Sequence, residues 1–545
     1  MKSFYKLIFS VLLYSNFVIA QGNPGDVGTL TGIDSYTSFQ GYDEDAPHLG
    51  QGEYQIFYDN VDGVLDKPII ICDGFDPEDT RDISTIYGIG DFGNPTQNIF
   101  DNLRDLGSDI VVLNFPNYTR SDDGAEIQGG ADYIERNGLV LVNLIETINT
   151  DKTGNNELIV VGPSMGGLIT RYALTYMEQN AMDHQTGIWL SFDSPHRGAN
   201  VPISFQYAVN YLAEYTGDAD MAALRDVQLN SAAAKQMLLD HYTSHLQDGE
   251  AYDQDTSLQL PLPNAYRNTF MNTMDAMGFP TQTRNLAIIN GSITGATVAS
   301  PGTLLMDGEI DPDGIGAADV NLHFTPASGV SDFNIDHIVI TAASYPIDTF
   351  DAVAASPSES SGLDSCPGGI VLFDSFFGDD PSDVEQQVQD ALLVDAFSFI
   401  PTMSSMAIDQ SDWYHVVNGS ESTPFDNYIG GSENQPHLTL TEDYANFMMD
   451  EFSALYLGIS SELLADSFQL LQNPVQQAIR VRVNSNHLFN KVSFQLFTVS
   501  GQMIGSYRTE HPEGLISLPA PSTSGLYLLR ISSGDSFVVK KVLVQ

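Results

Sequence analysis

The residue whose setting most clearly points to chemistry is Ser164, at the centre of Gly-Pro-Ser-Met-Gly at 162–166. A G-x-S-x-G segment is typical of a sharp turn that presents a serine hydroxyl between a strand and a helix. Apolar residues 158–161 precede it, and residues 167–177 follow with helical periodicity. Glycines two residues to either side leave the space that such a turn needs. We predict that Ser164 is a nucleophile at the positive end of a helix dipole.

The elements around this serine have the pattern of a parallel sheet. Apolar runs without polar alternation predict strands that are buried on both faces. Such runs occupy residues 67–74, 109–116, 157–164, 187–194 and 285–291. Residues 131–148, directly before the strand of the serine, have apolar side chains at helical spacing. The repetition of strand, helix and strand predicts a doubly wound α/β fold with a mostly parallel sheet.

This motif and its setting resemble the α/β-hydrolase superfamily over residues 50–455. The segment Asp-Ser-Pro-His-Arg-Gly-Ala-Asn at 193–200 is similar to a stretch in many bacterial lipases, which indicates the lipase-like branch. The resemblance implies an oxyanion hole made of two backbone amides, those of Met165 and Phe75. The family usually has a histidine where this chain has Asp73, so the sequence departs from the pattern there.

The superfamily orders its triad as serine, acid and histidine, which implies a base late in the domain. His437 lies in a polar stretch before a predicted amphipathic helix with Thr441 as its cap, where the family places its base. His415, within the apolar stretch Trp-Tyr-His-Val-Val, is the alternative, and its setting is more typical of a structural histidine. We predict that His437 is the general base.

Three aspartates are candidates for the acid. Most family members carry the acid after the strand that here leads to Asn290, and this chain has no carboxylate there. Asp193 follows the strand after the nucleophile, a position that pancreatic-type lipases use, and it ranks first. Asp426, shortly before the histidine, and Asp409, after a partial lipase-like pattern, are the alternatives. Whichever it is would orient the imidazole and stabilise the imidazolium.

Two insertions are expected within a hydrolase domain that spans residues 21–460. Amphipathic helices at 203–280 predict a helical cap, whose methionines could line an apolar entrance. Residues 291–400, rich in Gly, Pro, Ser and Asp, predict a β-rich insertion. Asp307, Asp311 and Asp313 alternate in it and could gather oxygen ligands for calcium. A solvated acidic turn is the preferred interpretation, because the twelfth position of an EF-hand-like loop lacks a carboxylate.

The first twenty residues predict a signal peptide. Lys2 and Lys6 form a basic start, a mostly apolar stretch follows, and Val18 and Ala20 suit a cleavage site after residue 20. Polar residues interrupt the stretch well short of the roughly 18 to 20 apolar residues that a membrane span needs. No later segment is long and apolar enough either. The sequence therefore predicts an exported chain without a transmembrane segment.

The composition changes near the end of the chain. Residues 471–545 carry seven Lys or Arg and three acidic residues, whereas the rest carries 14 and 68. Short alternating runs predict a small β-sandwich at 468–545. Asn473-Pro474, followed by the segments at 497–502, 522–531 and 540–544, resembles the type A C-terminal sorting domain of the Bacteroidetes type IX secretion system. The resemblance implies the secretion machinery as a partner and a protein that is secreted or attached to the cell surface by way of the periplasm.

Charge and cysteine content restrict the remaining function classes. The net charge of -50, from 71 acidic and 21 basic residues, repels phosphate backbones and argues against a nucleic-acid partner. Cys72 and Cys366 are too few for a four-cysteine zinc site, although one disulfide between them stays open. The sequence predicts a secreted serine hydrolase of carboxylic esters, lipase-like or esterase-like, that needs no cofactor. The alternatives are a catalytically decayed binding protein on the same fold and a secreted serine peptidase.

Overall fold

The structure is a computed structural model of the whole chain, which forms two compact units, residues 1–445 and 446–545. The predicted signal peptide lies outside the described residues. The residues that the structure describes are 23–93, 96–217, 219–311, 316–343, 345–376, 383–456, 467–483, 491–498, 503–510, 514–533 and 536–545.

An eight-stranded sheet forms the centre of the first unit. Its strands in chain order are β1 (Thr31–Asp34), β2 (Gln51–Phe57), β3 (Pro68–Cys72), β4 (Asp109–Asn114), β5 (Leu158–Pro163), β6 (Thr186–Phe192), β7 (Arg284–Ile289) and β8 (Asn427–Gly430). Their spatial order is β1-β2-β4-β3-β5-β6-β7-β8. From β4 to β8 all neighbours are parallel, whereas β1 and β2 extend the sheet in antiparallel fashion. The prediction of a mostly parallel α/β sheet is confirmed.

The burial of the central strands explains why their sequences do not alternate. Every residue of β3, β4 and β5 is buried, so both faces of the sheet are covered. The helices between these strands are α1 (Ile83–Tyr87), α2 (Ile99–Asp105), α3 (Ile134–Asp151) and α4 (Gly166–Gln179). Because parallel strands end at the same edge of a sheet, residues that follow β3, β5, β6 and β7 become neighbours there.

The segment between β6 and β7 is largely helical. Its helices are α5 (Ile203–Thr216), α6 (Ala219–Leu224), α7 (Ala232–Met237) and α8 (Ala265–Met277). A π-helical turn at Arg225–Leu229 continues α6. Met237 and Met274 are buried in the apolar core, so these two methionines stabilise packing.

The segment between β7 and β8 contains mainly strands. Four of them form an antiparallel sheet in chain order, namely Leu304–Ile310, Gly316–His323, Phe333–Ala342 and Tyr345–Ala354. Strand Gly368–Leu372 pairs with Ala396–Pro401, with α9 (Asp383–Ala391) between them and α10 (Thr402–Ser405) after them. After β8 the helix α11 (Glu442–Tyr456) begins, and Thr441 caps it because its hydroxyl accepts a hydrogen bond from the Tyr444 amide.

The acidic residues considered for calcium lie at the start of this antiparallel sheet. Asp307 is within strand Leu304–Ile310 and accepts a hydrogen bond of 3.2 Å from the Asn321 side chain. Asp311 follows the strand, and its amide donates to Gln387. Asp313 lies outside the described residues, so the preferred solvated turn and the alternative calcium site both stay untested.

Asp336 is an unusual residue of the same sheet. It is fully buried on the side of strand Phe333–Ala342 that also carries Ile338, and neither of its carboxyl oxygens has a hydrogen-bond partner in the described residues. Burial raises the pKa of this carboxyl well above its ordinary value, and the nearby carboxylate of Asp351 adds to the shift. A carboxyl in such a place is far more stable in its neutral form.

This environment predicts a pH-dependent penalty on stability. In the unfolded chain Asp336 loses its proton near its ordinary pKa of 3.8, whereas in the folded chain it does so only at much higher pH. The folded state therefore loses stability as pH rises through this interval. We expect Asp336→Asn to exceed the wild type in free energy of unfolding by about 1–3 kcal/mol at about pH 8 and by much less at about pH 5. Urea denaturation across this range measures the difference, and Asp319→Asn, at an exposed position of the neighbouring strand Gly316–His323, is the control. If the difference in free energy of unfolding between Asp336→Asn and the wild type did not change with pH, the raised pKa of Asp336 would be contradicted.

The second unit contains the predicted β-sandwich. One sheet consists of Phe468–Leu470, Ala478–Val483 and Leu515–Pro519, and the other of Lys491–Thr498, Met503–Glu510, Gly525–Ser533 and Ser536–Val544. Apolar side chains from both sheets share one core, among them Phe468, Ile479, Phe494 and Ile531.

Two further features concern thiols and membranes. Cys72 and Cys366 are both free and buried, so the disulfide that the sequence left open is not formed. Among the helices of the described residues, none has the length and apolar character needed to cross a bilayer.

Candidate active site

Ser164 occupies the tight turn between β5 and α4. Its φ of 53° lies in the left-handed region, which is strained for a residue with a side chain. A Cβ on Gly162 would lie 2.6 Å from the carbonyl oxygen of Gly166, and a Cβ on Gly166 would lie 2.6 Å from that of Cys72. Neither position has room for a side chain. The two glycines of the motif thus allow the turn that aims the Ser164 hydroxyl away from the strand.

Ser164, His437 and Asp193 form a continuous chain of hydrogen bonds. His437 Nε2 lies 2.8 Å from Ser164 Oγ, and His437 Nδ1 lies 2.7 Å from Asp193 Oδ2. With its proton on Nδ1, the imidazole donates to the carboxylate and accepts from the serine hydroxyl. Asp193 is completely buried, whereas Ser164 and His437 are partly exposed. This arrangement can remove a proton from the serine as its oxygen attacks.

Asp193 is held rigidly at the end of β6. Its φ is 45°, and its amide donates to the carbonyl oxygen of Ile288 at 2.8 Å. Its Oδ1 accepts a hydrogen bond of 3.1 Å from the Asn290 amide, which leaves Oδ2 for the histidine. Gly369 packs against the carboxylate so closely that a Cβ there would lie 2.1 Å from Oδ2. These contacts fix the direction from which the carboxylate meets the imidazole.

The loop of His437 is anchored from two sides. The His437 amide donates to the carbonyl oxygen of Ile370 at 2.8 Å. The buried side chain of Asn290 accepts from the Leu438 amide and donates to the carbonyl oxygen of Thr439, both at 2.9 Å. Asn290 therefore contacts both the acid and the histidine loop. Sequence reasoning noted only that this position lacks a carboxylate, although an amide at that strand end was the available signal.

The other candidates lie elsewhere. Asp426 pairs with the backbone of Asn285 where β8 begins, and Asp409 is exposed after α10. His415 bonds to Glu421 at 2.7 Å, as a structural histidine does. His437, the predicted base, thus hydrogen-bonds to Asp193 and to neither of the alternative aspartates.

His196, from the lipase-like segment, is also structural. It is fully buried, its Nε2 lies 2.8 Å from Ser191 Oγ, and its ring packs against Trp189, Phe279 and Phe425. Burial lowers its pKa well below the ordinary value, so it is neutral in the core. His196 therefore packs in the core and is not part of the triad, whereas Asp193 of the same segment is.

Two backbone amides are free beside the serine. The N–H groups of Met165 and Phe75 have no hydrogen-bond acceptor in the part of the chain that the structure describes. Met165 stands directly before α4, whose first turn leaves its amides without intrahelical partners. Gly74 brings the other loop close, since a Cβ on it would lie 3.3 Å from Ser164 Cβ and 3.6 Å from the Met165 nitrogen. Both amides are available to an anion that forms next to Ser164.

A group with ligands for a metal ion lies outside this site. The ligand atoms of His48, Asp122 and Asp123 are within 4.8 Å of one another. His48 Nδ1 bonds to Asp122 at 2.7 Å, and Asp123 pairs with Arg120, so these groups already satisfy one another. The two aspartates are exposed.

Family models match two parts of the chain. Residues 85–184 match the model of the alpha/beta hydrolase fold, and residues 472–545 match that of the secretion system C-terminal sorting domain. Both resemblances seen in the sequence are thereby confirmed. The chain has an α/β-hydrolase fold followed by a sorting domain, which indicates export by type IX secretion. No curated protein sequence matches the chain.

Solved structures with similarity to this chain include hydrolases and a secretion protein. The Bacillus licheniformis lipase BlEst2 in mature form is 13% identical, with 50% of this chain and 74% of that chain covered and a TM-score of 0.23. Est1E from Butyrivibrio proteoclasticus is 10% identical, with 48% and 76% covered and a TM-score of 0.24. Dimeric latent PorU from Porphyromonas gingivalis is 19% identical, with 14% and 9% covered and a TM-score of 0.12. Similarities this low carry no argument about activity.

Proposed function

We propose that this protein is a secreted serine hydrolase that cleaves carboxylic esters through an acyl-enzyme, as lipases and esterases do. The observation that carries the proposal is the hydrogen-bond chain from Asp193 through His437 to Ser164. The unpaired amides of Met165 and Phe75 beside it add support. An ester is preferred to an amide because the segment at 193–200 is similar to a lipase segment, and a lipid ester is the favoured substrate.

In the proposed reaction the Ser164 oxygen attacks the ester carbonyl while His437 Nε2 accepts its proton. Asp193 stabilises the imidazolium, and the two amides donate hydrogen bonds to the tetrahedral oxyanion. Collapse of this intermediate breaks the bond to the alcohol, which leaves with the proton from His437. A water molecule, activated by the same histidine, then attacks the acyl-enzyme and releases the acid. Every proton transfer is made by residues of this chain, so no cofactor is assigned.

The proposed location follows from the two ends of the chain. The predicted signal peptide at 1–20 would direct the chain to the periplasm, and the sorting domain would then pass it to the type IX machinery. The protein would act outside the cell, free or attached to the surface. Its net charge of -50 disfavours nucleic-acid partners there.

Labelling with a fluorophosphonate tests the proposal, because this probe reacts only with an activated serine. We expect the folded protein to acquire one adduct, which peptide mass spectrometry locates on Ser164, and heat-denatured protein to acquire none. Short and long p-nitrophenyl esters and a matching anilide, assayed in parallel, are expected to show turnover of the esters above the anilide. A folded protein without label or turnover would favour a decayed hydrolase that serves as a binding protein. Faster turnover of the anilide would favour a peptidase.

A further inference from the structure

The loop that carries the Phe75 amide has no rigid element of its own. It connects the end of β3 to α1, and Gly74 stands directly before the peptide that bears the amide. Glycine restricts backbone rotation less than any other residue. If the Phe75 amide is to donate to an oxyanion at hydrogen-bond distance, contacts from outside the loop must fix its orientation.

Arg81 supplies contacts on both sides of this peptide. Its Nε donates to Asp73 Oδ1 at 3.1 Å and its Nη2 donates to Asp73 Oδ2 at 3.3 Å. The same Nη2 donates to the carbonyl oxygen of Phe75 at 2.8 Å. The guanidinium thus joins the residue before Gly74 to the residue after it. A planar fork of this kind fixes direction as well as distance.

The electrostatic setting favours this pair. Asp73 is 1% exposed and Arg81 is 30% exposed at its side chain. Burial raises the pKa of the Asp73 carboxyl to about 6, against the lowering effect of Arg81, so the carboxyl is ionised at neutral pH. A buried carboxylate without its cation would be strongly destabilised. The ion pair is therefore persistent in the folded chain.

Asp76 fixes the backbone of Arg81 next to the loop. Its Oδ2 accepts from the Arg81 amide at 2.7 Å, and its Oδ1 accepts from the Thr80 hydroxyl at 2.9 Å. The Asp76 amide donates to the carbonyl oxygen of Gly130 at 3.1 Å, which ties the turn to the body of the domain. The backbone of Arg81 is thus held by a turn that is itself bonded to the domain. The guanidinium can therefore hold the carbonyl group of Phe75 in one place.

We propose that Arg81, paired with Asp73, is a positioning residue that holds the Phe75 amide in the oxyanion hole. The aspartate that replaces the family's histidine then has a function of its own in this chain. This inference rests on the proposed ester hydrolysis, and it concerns only how one of the two oxyanion donors is oriented.

Arg81→Gln tests this role in the full chain. Loss of a whole oxyanion donor costs about 10² to 10³ in kcat, so a displaced donor is expected to cost about 10- to 100-fold. The KM is expected to change little, because the amide binds the transition state more strongly than the substrate. Arg81→Lys should recover only part of the loss, since an ammonium cannot reproduce the fork. Arg104→Gln is the matched control. Arg104 also donates to backbone carbonyl oxygens, but these belong to Tyr58 and Gly25 and not to the loop of Phe75.

A trifluoromethyl ketone gives a readout that a merely structural role would not change, because its adduct with serine carries an oxyanion. Its affinity should fall in Arg81→Gln by the same factor as kcat/KM and stay constant in Arg104→Gln. If Arg81→Gln does not fold, the nearly isosteric Asp73→Asn breaks the same ion pair and should show the same pattern. Unchanged kcat or unchanged ketone affinity in the folded variant would overturn the positioning role alone. An inactive, unlabelled wild type would overturn the proposed function together with it.

Discussion

Replacement of Ser164 by alanine is expected to lower kcat for a p-nitrophenyl ester by about 10⁶-fold and to abolish fluorophosphonate labelling. The variant keeps the turn and both oxyanion amides but has no oxygen to form the acyl-enzyme. Its residual rate comes from binding and the oxyanion amides alone. Stability should change little, because Ser164 is partly exposed and its hydroxyl, among the described residues, hydrogen-bonds to the histidine alone. Steady-state kinetics and intact mass spectrometry measure both effects.

Ser191 offers a closely matched control for this experiment. Its hydroxyl also lies 2.8 Å from a histidine Nε2, that of His196, but both residues are fully buried in the core. Moreover, His196 Nδ1 has no partner among the described residues, whereas His437 Nδ1 has Asp193. Ser191→Ala should therefore keep labelling and turnover. An adduct that persists in Ser164→Ala would mean that another serine is the nucleophile.

The second large effect is expected from Asp193→Asn, with a loss of about 10⁴-fold in kcat. The asparagine fits the same space and can still accept from the Asn290 amide, so the geometry should survive. However, its amide group would donate to His437 Nδ1 and stabilise the tautomer with the proton on Nε2. That nitrogen could then no longer accept the serine proton. The pH profile of kcat/KM and circular dichroism would separate this loss from unfolding.

The alternative aspartates provide the comparison. Asp409→Asn and Asp426→Asn should each stay within about twofold of the wild type, because the first is exposed and the second binds the backbone of Asn285. A large loss of activity in Asp426→Asn, together with an active Asp193→Asn, would identify Asp426 as the acid of the triad. Wild-type activity in all three variants would mean that none of these aspartates orients the imidazole of His437.

Local patterns were sufficient to predict the strands of the sheet and the tight turn at Ser164. The apolar runs around 67–74, 109–116 and 157–164 correspond to β3, β4 and β5, because strands buried on both faces leave a continuous signal. The turn at Ser164 was predictable because its two glycines are required by contacts within a few residues and by β3 beside it. Helix boundaries were less certain, since the helix predicted at 131–148 spans Ile134–Asp151 in the structure.

The contacts that join the triad residues could not be read in the same way. Ser164 and His437 are 273 residues apart, and the sequence offered three aspartates, among which Asp193 ranked first only by its resemblance to the position that pancreatic-type lipases use. The roles of Asn290, Gly369 and Arg81 were invisible for the same reason. Each depends on loops that meet only after the strands have been placed side by side.

The sequence by itself determined the class of fold and the C-terminal sorting domain, and it predicted Ser164 as nucleophile, His437 as base and a signal peptide at 1–20. These depend on periodicity, on turn chemistry and on order along the chain, all of which act over short distances. Only the tertiary structure decided which aspartate meets His437 and which amides stand free beside Ser164. The reason is that hydrogen bonds and ion pairs act over about 3 to 4 Å. Whether two groups lie that close is set by the packing of the whole sheet and its insertions.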